Sequence, residues 1–488
     1  VQLVAVRDLP SSCNIDTISL KDILGQPLIK ECWIFNYLFD IDFVMEQFDE
    51  DTRDLVRVHI VHGSWKTEDG NRRRIDEAAK RFSNVQPVAA YMPEAYGTHH
   101  SKMIVLLRHD DLAQVVIMTA NMLAQDWRMC QAVWRSPLLP LKASSDTPAP
   151  LAIGTPRIGT GARFKRDLLA YLGKYEKRTK DLVAQLNDYD FGNVRAALIA
   201  STPCKVNVRS GDPEKEILWG WPALKRILGG IPTTSSEPQI VIQVSSIASI
   251  GEKWLSTTFF EALSASASSP KPKPKVSIVF PTGDEIRRSI DGYSAGSSIH
   301  MKTQSAAQLK QLTYMKPMLC HWAGDDAIRS GSEALAAVQV QEAGRRRAAP
   351  HIKTYLRFRD HTMTKIDWAM MTSANLSTQA WGGASNAAGE VRICSYEIGV
   401  VVWPGLWDEG EPGSAEMVPV FKMDIPSTDE STTANDKADG KIKTRVGWRM
   451  PYDLPLVPYQ KGEMPWCANE PCSELDWMGR TWPGFNSG

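Results

Sequence analysis

Cysteine is scarce in this chain: 8 of 488 residues, scattered from Cys13 to Cys472, with no CxxC pair. The nearest two, Cys467 and Cys472, have neither a second pair nor a histidine beside them. That excludes a disulfide scaffold, argues against a structural zinc site and points to a reducing compartment. Long apolar runs are missing too. None approaches the ~18–20 residues that cross a bilayer, and the opening residues do not read as a signal peptide, so no membrane partner is expected. The chain starts at Val1 rather than Met, and an upstream region carrying any address signal is expected to precede it. Net charge is also absent, with 56 Lys and Arg against 56 Asp and Glu. Bulk attraction to nucleic acid is therefore excluded as the main theme, while a local basic groove is not.

What is present is ordinary globular composition, 43% hydrophobic and 23% charged, long enough for two large domains or three smaller ones. Four stretches read as loops or insertions: 140–162, the low-complexity 264–275, 324–349 and the net acidic 408–442. Short apolar runs lie between them at 56–62, 102–107, 114–119, 239–246, 276–280, 366–372 and 398–403. Amphipathic stretches such as 164–186 alternate with these runs. Runs of this length suit strands covered on both faces, so the pattern predicts two α/β domains.

A repeat dominates the sequence. His100-Ser-Lys102 leads into an apolar strand, a turn, a second strand ending in Met-Thr, then Asn121 and, six residues on, Trp127. His351-Ile-Lys353 leads through the same order to Asn375 and Trp381. In an extended chain, residues two apart share a face, so each histidine should project beside its lysine, with the asparagine supplying an amide from the neighbouring strand. Two such half-sites would pool two imidazoles, two ammonium groups and two amides. That set matches a phosphate diester, which needs cations and donors for its oxygens, a nucleophile and a proton donor. A single His-x-Lys would mean nothing; a doubled one with matched Asn and Trp is hard to reach by accident.

These motifs resemble the phospholipase D superfamily and, within it, the tyrosyl-DNA phosphodiesterase family. The superfamily's His-x-Lys-x4-Asp is broken here, with Leu107 and Phe358 at the aspartate positions, and Gly-Ser is missing ahead of both asparagines. Loss of that aspartate is itself the pattern of the narrower family. The likeness extends to IFNYLFDIDF (34–43), YGTHHSKM (96–103), QVSSIASIG (243–251), PHIKTYLR (350–357), TSANLSTQAWG (372–382) and PYDLP (451–455), and so covers essentially the whole chain.

The resemblance implies two similar α/β/α sandwich domains, with mixed sheets flanked by helices, related by a pseudo-twofold and spanning 1–192 and 193–488, the site lying at their seam. It implies hydrolysis of the 3′-phosphotyrosyl bond between DNA and a topoisomerase I-derived peptide, as DNA repair, without metal or other cofactor. His100 would be the nucleophile that becomes phosphohistidine, and His351 the acid for the leaving phenol and then the base for water. Lys102, Lys353, Asn121 and Asn375 would hold the phosphate oxygens. Gln131 and Glu397 would orient the histidines through Nδ1. The sequence leaves open which serves which; the expected pairing crosses the seam, Glu397 on His100 and Gln131 on His351. Tyr96, Ser245, Ser246 and Ser377 are expected on the DNA side, and Tyr37 and Trp466 on the peptide side. A monomer is expected, nuclear, with a mitochondrial pool as an alternative.

Other groups read as structural. His59 and His62 suit core or edge positions, His99 faces away from the nucleophile, and Arg72–Arg74 and Arg345–Arg347 read as solvated basic turns. Asn375-Leu-Ser fits a glycosylation sequon by letter only. Rival readings are a lipid-cleaving or nuclease member of the superfamily, and a silent DNA-binding scaffold. The first should keep the two aspartates, and the second should have lost a histidine or lysine.

Overall fold

The computed structural model describes residues 1–142, 155–209, 216–234, 237–269, 272–324, 339–426 and 444–485. Much of the predicted insertions 140–162, 324–349 and 408–442 lies outside the described residues.

The first half builds one mixed sheet from β1 (Gln2–Leu3), β2 (Ile29–Phe35), β3 (Arg57–His62), β4 (Val85–Ala89), β5 (Met103–Arg108), β6 (Leu112–Met118), β7 (Ala132–Arg135) and β8 (Leu139–Pro140). Their order is β1-β7-β6-β5-β2-β3-β4, with β8 on β6. The second half contributes β9 (Ala197–Ser201), β10 (Cys204–Asn207), β11 (Gln239–Gln243), β12 (Lys275–Val279), β13 (Leu319–Cys320), β14 (Thr354–Phe358), β15 (Ile366–Thr372), β16 (Glu390–Ile393), β17 (Glu397–Val402), β18 (Ala415–Val420) and β19 (Thr444–Arg449). Here the order is β13-β12-β11-β14-β15-β17-β9, with β18 and β19 beyond β15, while β10 and β16 form a separate pair.

The two sheets repeat one plan. β2, β3 and β4 run parallel, as do β11, β12 and β13. β2 is then followed antiparallel by β5, β6 and β7, and β11 by β14, β15 and β17. The repeat therefore falls on matching strands, β5 with β6 and β14 with β15. These central strands are buried on both faces: Met103–Leu107 and all of β14 and β15 are buried, with Arg357 paired to Asp367. At ~1.5–3 kcal/mol per large apolar side chain removed from water, such strands anchor the site they carry.

Each predicted apolar run begins and ends within three residues of its strand, and the strand for 102–107 begins at Met103. His100–Lys102 and His351–Lys353 thus form extended lead-ins to β5 and β14 instead of lying in them. The helix predicted over 164–186 is broken. Helices Gly161–Gly173 and Lys180–Asn187 are separated where Glu176 takes a left-handed φ of 57°, which a continuing helix cannot accommodate. The acidic excursion at 408–442 is in part structural, since β18 pairs with β19 along its length.

Two arginine readings need correction. Arg72–Arg74 belong to the helix Gly70–Ala79, where Arg72 pairs with Asp76 one turn on. Arg345 is not solvated: it is buried, and its guanidinium donates to the Cys13 carbonyl and Asn14 Oδ1 from the first half. Arg346 pairs with the buried Asp453. His62 is buried, His59 stacks on Trp33, and His99 is buried between the Asn36 carbonyl and the Tyr175 hydroxyl.

Candidate active site

The seam is stitched by backbone. The His100 amide donates to the Tyr396 carbonyl and the Tyr396 amide to the Thr98 carbonyl, both at 2.9 Å. In the other half-site the Cys130 amide donates to the Ala349 carbonyl and the Ile352 amide to the Cys130 carbonyl, again at 2.9 Å. Each His-x-Lys is thereby bound just ahead of a strand of the opposite half, to Tyr396 one residue before β17 and to Cys130 two before β7. That exchange carries Glu397, the first residue of β17, to His100, and Gln131, just ahead of β7, to His351. Glu397 Oε2 lies 2.9 Å from His100 Nδ1, and Gln131 Nε2 lies 2.9 Å from His351 Nδ1.

The supporting shell is duplicated as well. Thr119, two residues before Asn121, accepts the Ala132 amide on Oγ1 and donates to Gln131 Oε1. Ser373, two residues before Asn375, accepts the Ile398 amide and donates to Glu397 Oε2. Trp127 and Trp381 each donate Nε1 to the carbonyl of their own asparagine at 3.0 Å. The six-residue Asn-to-Trp spacing is the reach of that bond. Asn375 Oδ1 is further occupied by the Ser245 and Ser246 amides and the Ser245 hydroxyl, which turns its NH2 outward as a donor.

Both lysines are buried, and each ammonium donates to the carbonyl of its own histidine. Burial lowers Lys102 to about 8 against the pull of Glu397 and Asp126, and lowers Lys353 further, with Lys102 adding repulsion. Two ammonium groups held in a dry site are a poor resting arrangement and a good receptor for an anion. Burial also lowers His100, offset by Glu397, and lowers His351 well below the ordinary imidazole range with Lys353, Lys102 and His100 assisting. Glu397, although burial opposes its charge, is held below the usual carboxylate range by His100, Ser373 and Lys102. A neutral His100 that donates Nδ1–H to a carboxylate keeps its Nε2 lone pair free for attack.

The remaining predicted residues divide. Tyr37 stands over the site, its ring 5.6 Å from that of His100 and 5.9 Å from Lys102 Nζ. Tyr96 is 80% exposed, an open ring four residues ahead of His100. Ser245 is buried and committed to Asn375, and Ser377 caps the short helix Thr378–Trp381 by accepting the Ala380 amide. Trp466 lies in the core of the second half. It is buried, stacks on Tyr293 and donates to the Gly296 carbonyl.

Sequence reading missed Asp126. This carboxylate is 1% exposed, accepts the Asn121 amide at 2.8 Å and places Oδ2 at 3.4 Å from His351 Nδ1. Its signal was a break in the repeat, since Asn121-x4-Asp126-Trp127 answers to Asn375-x4-Ala380-Trp381. Among the described residues no cluster of three or more His, Cys, Asp or Glu could hold a metal ion. No helix among them is long and apolar enough to cross a membrane.

A duplicated sheet plan that pools two His-Lys-Asn sets at one seam defines a phosphodiesterase of the phospholipase D type. A family model described as tyrosyl-DNA phosphodiesterase matches residues 1–460, and the chain belongs to that family. A probable tyrosyl-DNA phosphodiesterase of Schizosaccharomyces pombe is 30% identical, covering 98% of this chain and 94% of its own. Tyrosyl-DNA phosphodiesterase 1 of Arabidopsis thaliana is 27% identical over 99% of this chain and 76% of its own. The crystal structure of the yeast tyrosyl-DNA phosphodiesterase shares the fold, with a TM-score of 0.64 at 20% identity over 96% of this chain and 98% of that one.

Proposed function

We propose that this protein hydrolyses the 3′-phosphotyrosyl bond between DNA and a peptide left by topoisomerase I, through a phosphohistidine, leaving a 3′-phosphate. The observation that carries the reading is the unlike treatment of two like histidines. His100 Nδ1 faces a carboxylate, which makes its Nε2 electron-rich and stabilises the cationic ring of a phosphohistidine. His351 Nδ1 faces a neutral amide.

In the first step His100 Nε2 attacks phosphorus in line while His351 gives a proton to the departing phenol oxygen. Lys102, Lys353 and the outward NH2 of Asn375 take the charge that grows on the non-bridging oxygens; one such donor is worth roughly 10²–10³ in rate. In the second step His351, now a base, deprotonates the water that displaces His100. Tyr96 offers a ring on which a base stacks, and Tyr37 covers the mouth beside His100. On this reading the chain divides into domains at 1–192 and 193–488, acts as a monomer in the nucleus and needs no metal. The test is single-stranded DNA bearing a 3′-phosphotyrosine, incubated in excess EDTA. Release of 3′-phosphate DNA supports the reading, and an intact substrate overturns it.

A further inference from the structure

Two groups face the same edge of His351, and they have opposite hydrogen-bonding sense. The Gln131 amide cannot turn freely: Oε1 takes the Thr119 hydroxyl at 2.8 Å, and Nε2 donates to the Asp126 carbonyl at 3.2 Å. The Thr119 oxygen already accepts the Ala132 amide, so its own proton goes to Gln131. What Gln131 presents to His351 Nδ1 at 2.9 Å is therefore an N–H, which matches a neutral ring protonated on Nε2. Such a ring is a very weak acid. To give up its Nε2 proton at moderate cost it must also be protonated on Nδ1, and that second proton needs an acceptor Gln131 does not provide. Asp126 Oδ2 is such an acceptor, 3.4 Å away and buried.

We propose that Asp126 is a positioning residue that takes the Nδ1–H of His351 in its cationic and post-donation forms, while Gln131 holds the neutral ring as the Nε2–H tautomer. The protons balance. The pair Asp126–His351 holds one extra proton, either on the carboxyl or on Nδ1. When the leaving oxygen takes the Nε2 proton, the ring is left neutral with its remaining proton on Nδ1, donated to the Asp126 carboxylate, and with a bare Nε2 facing the incoming water. The shared proton suits a carboxyl that burial pushes up and an imidazole that burial pushes down. The charged groups around the pair are Lys102 and Lys353, which favour the carboxylate and disfavour the imidazolium, and His100 and His300, which also disfavour the imidazolium. The other half-site has Ala380 at the matching position and Glu397 in place of the amide, so one acceptor there does a single job.

The inference rests on His351 being the acid, and the test separates the two ideas. Asp126→Asn, which keeps the acceptor for the Asn121 amide, is compared with the unaltered protein on 3′-phosphotyrosyl DNA and on a 3′-(4-nitrophenyl phosphate) ester, whose leaving group needs no acid. The expected result is a loss of about tenfold or more in kcat/KM on the tyrosyl substrate and under threefold on the nitrophenyl ester. The alkaline limb should fall by about one pH unit on the tyrosyl substrate relative to the nitrophenyl ester, whose limb reports the lysines that Asp126 also supports. Asp126→Glu should recover part of the tyrosyl activity. Equal losses on both substrates with unmoved limbs would reduce Asp126 to a structural residue and overturn the proposal. If His351→Asn shows no leaving-group dependence either, it is the acid assignment that fails. Should both Asp126 variants fail to fold, ¹⁵N-histidine NMR of the unaltered protein decides, with His351 assigned by its absence in His351→Asn. At a pH where the pair holds its extra proton, a neutral ring protonated on Nε2 or a ring protonated on both nitrogens supports the proposal; a neutral ring protonated on Nδ1 alone overturns it.

Discussion

The two half-sites are built on one plan and finished differently. Thr119 and Ser373, Trp127 and Trp381, and the residues opening β7 and β17 occupy equivalent places and make equivalent bonds. The differences lie at the groups that see a proton and at the two asparagines. One imidazole has a carboxylate alone; the other has an amide with a carboxylate behind it. Asn375 is pinned by three donors, whereas Asn121 Oδ1 is buried with no hydrogen-bond partner among the described residues. One repeated plan thus supplies two similar scaffolds, and on the proposed mechanism a few differences divide the labour between a nucleophile and an acid–base. An attacking imidazole needs permanent electron density, while a group that gives and retakes a proton needs two states close in energy.

The comparison breaks most completely at the histidines. His100→Ala should lower turnover by about 10⁴-fold or more and leave no covalent species, because nothing remains to attack phosphorus. His351→Ala should differ in kind. A phenol with a pKa of ~10 departs with modest help, but water then lacks a base, so a His100–DNA adduct should accumulate on denaturing gels and be released by hydroxylamine. An adduct in His100→Ala and none in His351→Ala would reverse the two roles.

The lysines come next, and here the halves should behave alike. Lys102→Ala and Lys353→Ala should each lower kcat by about 10²–10³ with little change in DNA affinity, since both charges are aimed at the reacting phosphate. A rise confined to KM would make either one a docking residue. Their protonation also sets a limit on pH. Burial lowers both, Lys102 to about 8 and Lys353 well below the ordinary ammonium range, and each works only as the ammonium, so on the nitrophenyl ester, which needs no acid, activity should decline toward alkaline pH. Lys102→Arg combined with Lys353→Arg, which keeps both charges, should carry that limb to higher pH in a kcat/KM profile on that ester even at reduced rate.

Glu397→Gln makes the halves more alike and should cost about 10–100-fold. Glu397 raises His100, so without its charge His100 titrates lower and the acid limb of kcat/KM moves to lower pH. An unmoved limb would mean that Glu397 serves only to place the ring. The smallest effect expected is that of chelation: activity in excess EDTA should match the untreated enzyme within error, and a requirement for added divalent ion would contradict the metal-free mechanism.

The sequence alone determined whatever follows from local spacing. Strand periodicity, the doubled His-x-Lys and the six residues from Asn to Trp are short-range relations, so the two sheets and the pairing of β5 with β6 and β14 with β15 were legible in it. So were the histidines, lysines and asparagines. The tertiary structure alone decided what depends on the closed seam. His100 meets Glu397 across 297 residues and Gln131 meets His351 across 220, and only the exchange of backbone bonds at Tyr396 and Cys130 fixes which meets which. Trp466 was expected on the peptide side from the family resemblance alone; packing against Tyr293 and a hydrogen bond to the Gly296 carbonyl put it in the core. Arg345 read as solvated because three arginines in a row usually are, and only the first-half carbonyls beside it, far away in sequence, give its charge a buried home. Asp126 sat in plain view as the odd letter in a repeat. Its meaning lay in a 3.4 Å approach to His351 that no spacing along the chain encodes, because the two belong to different halves.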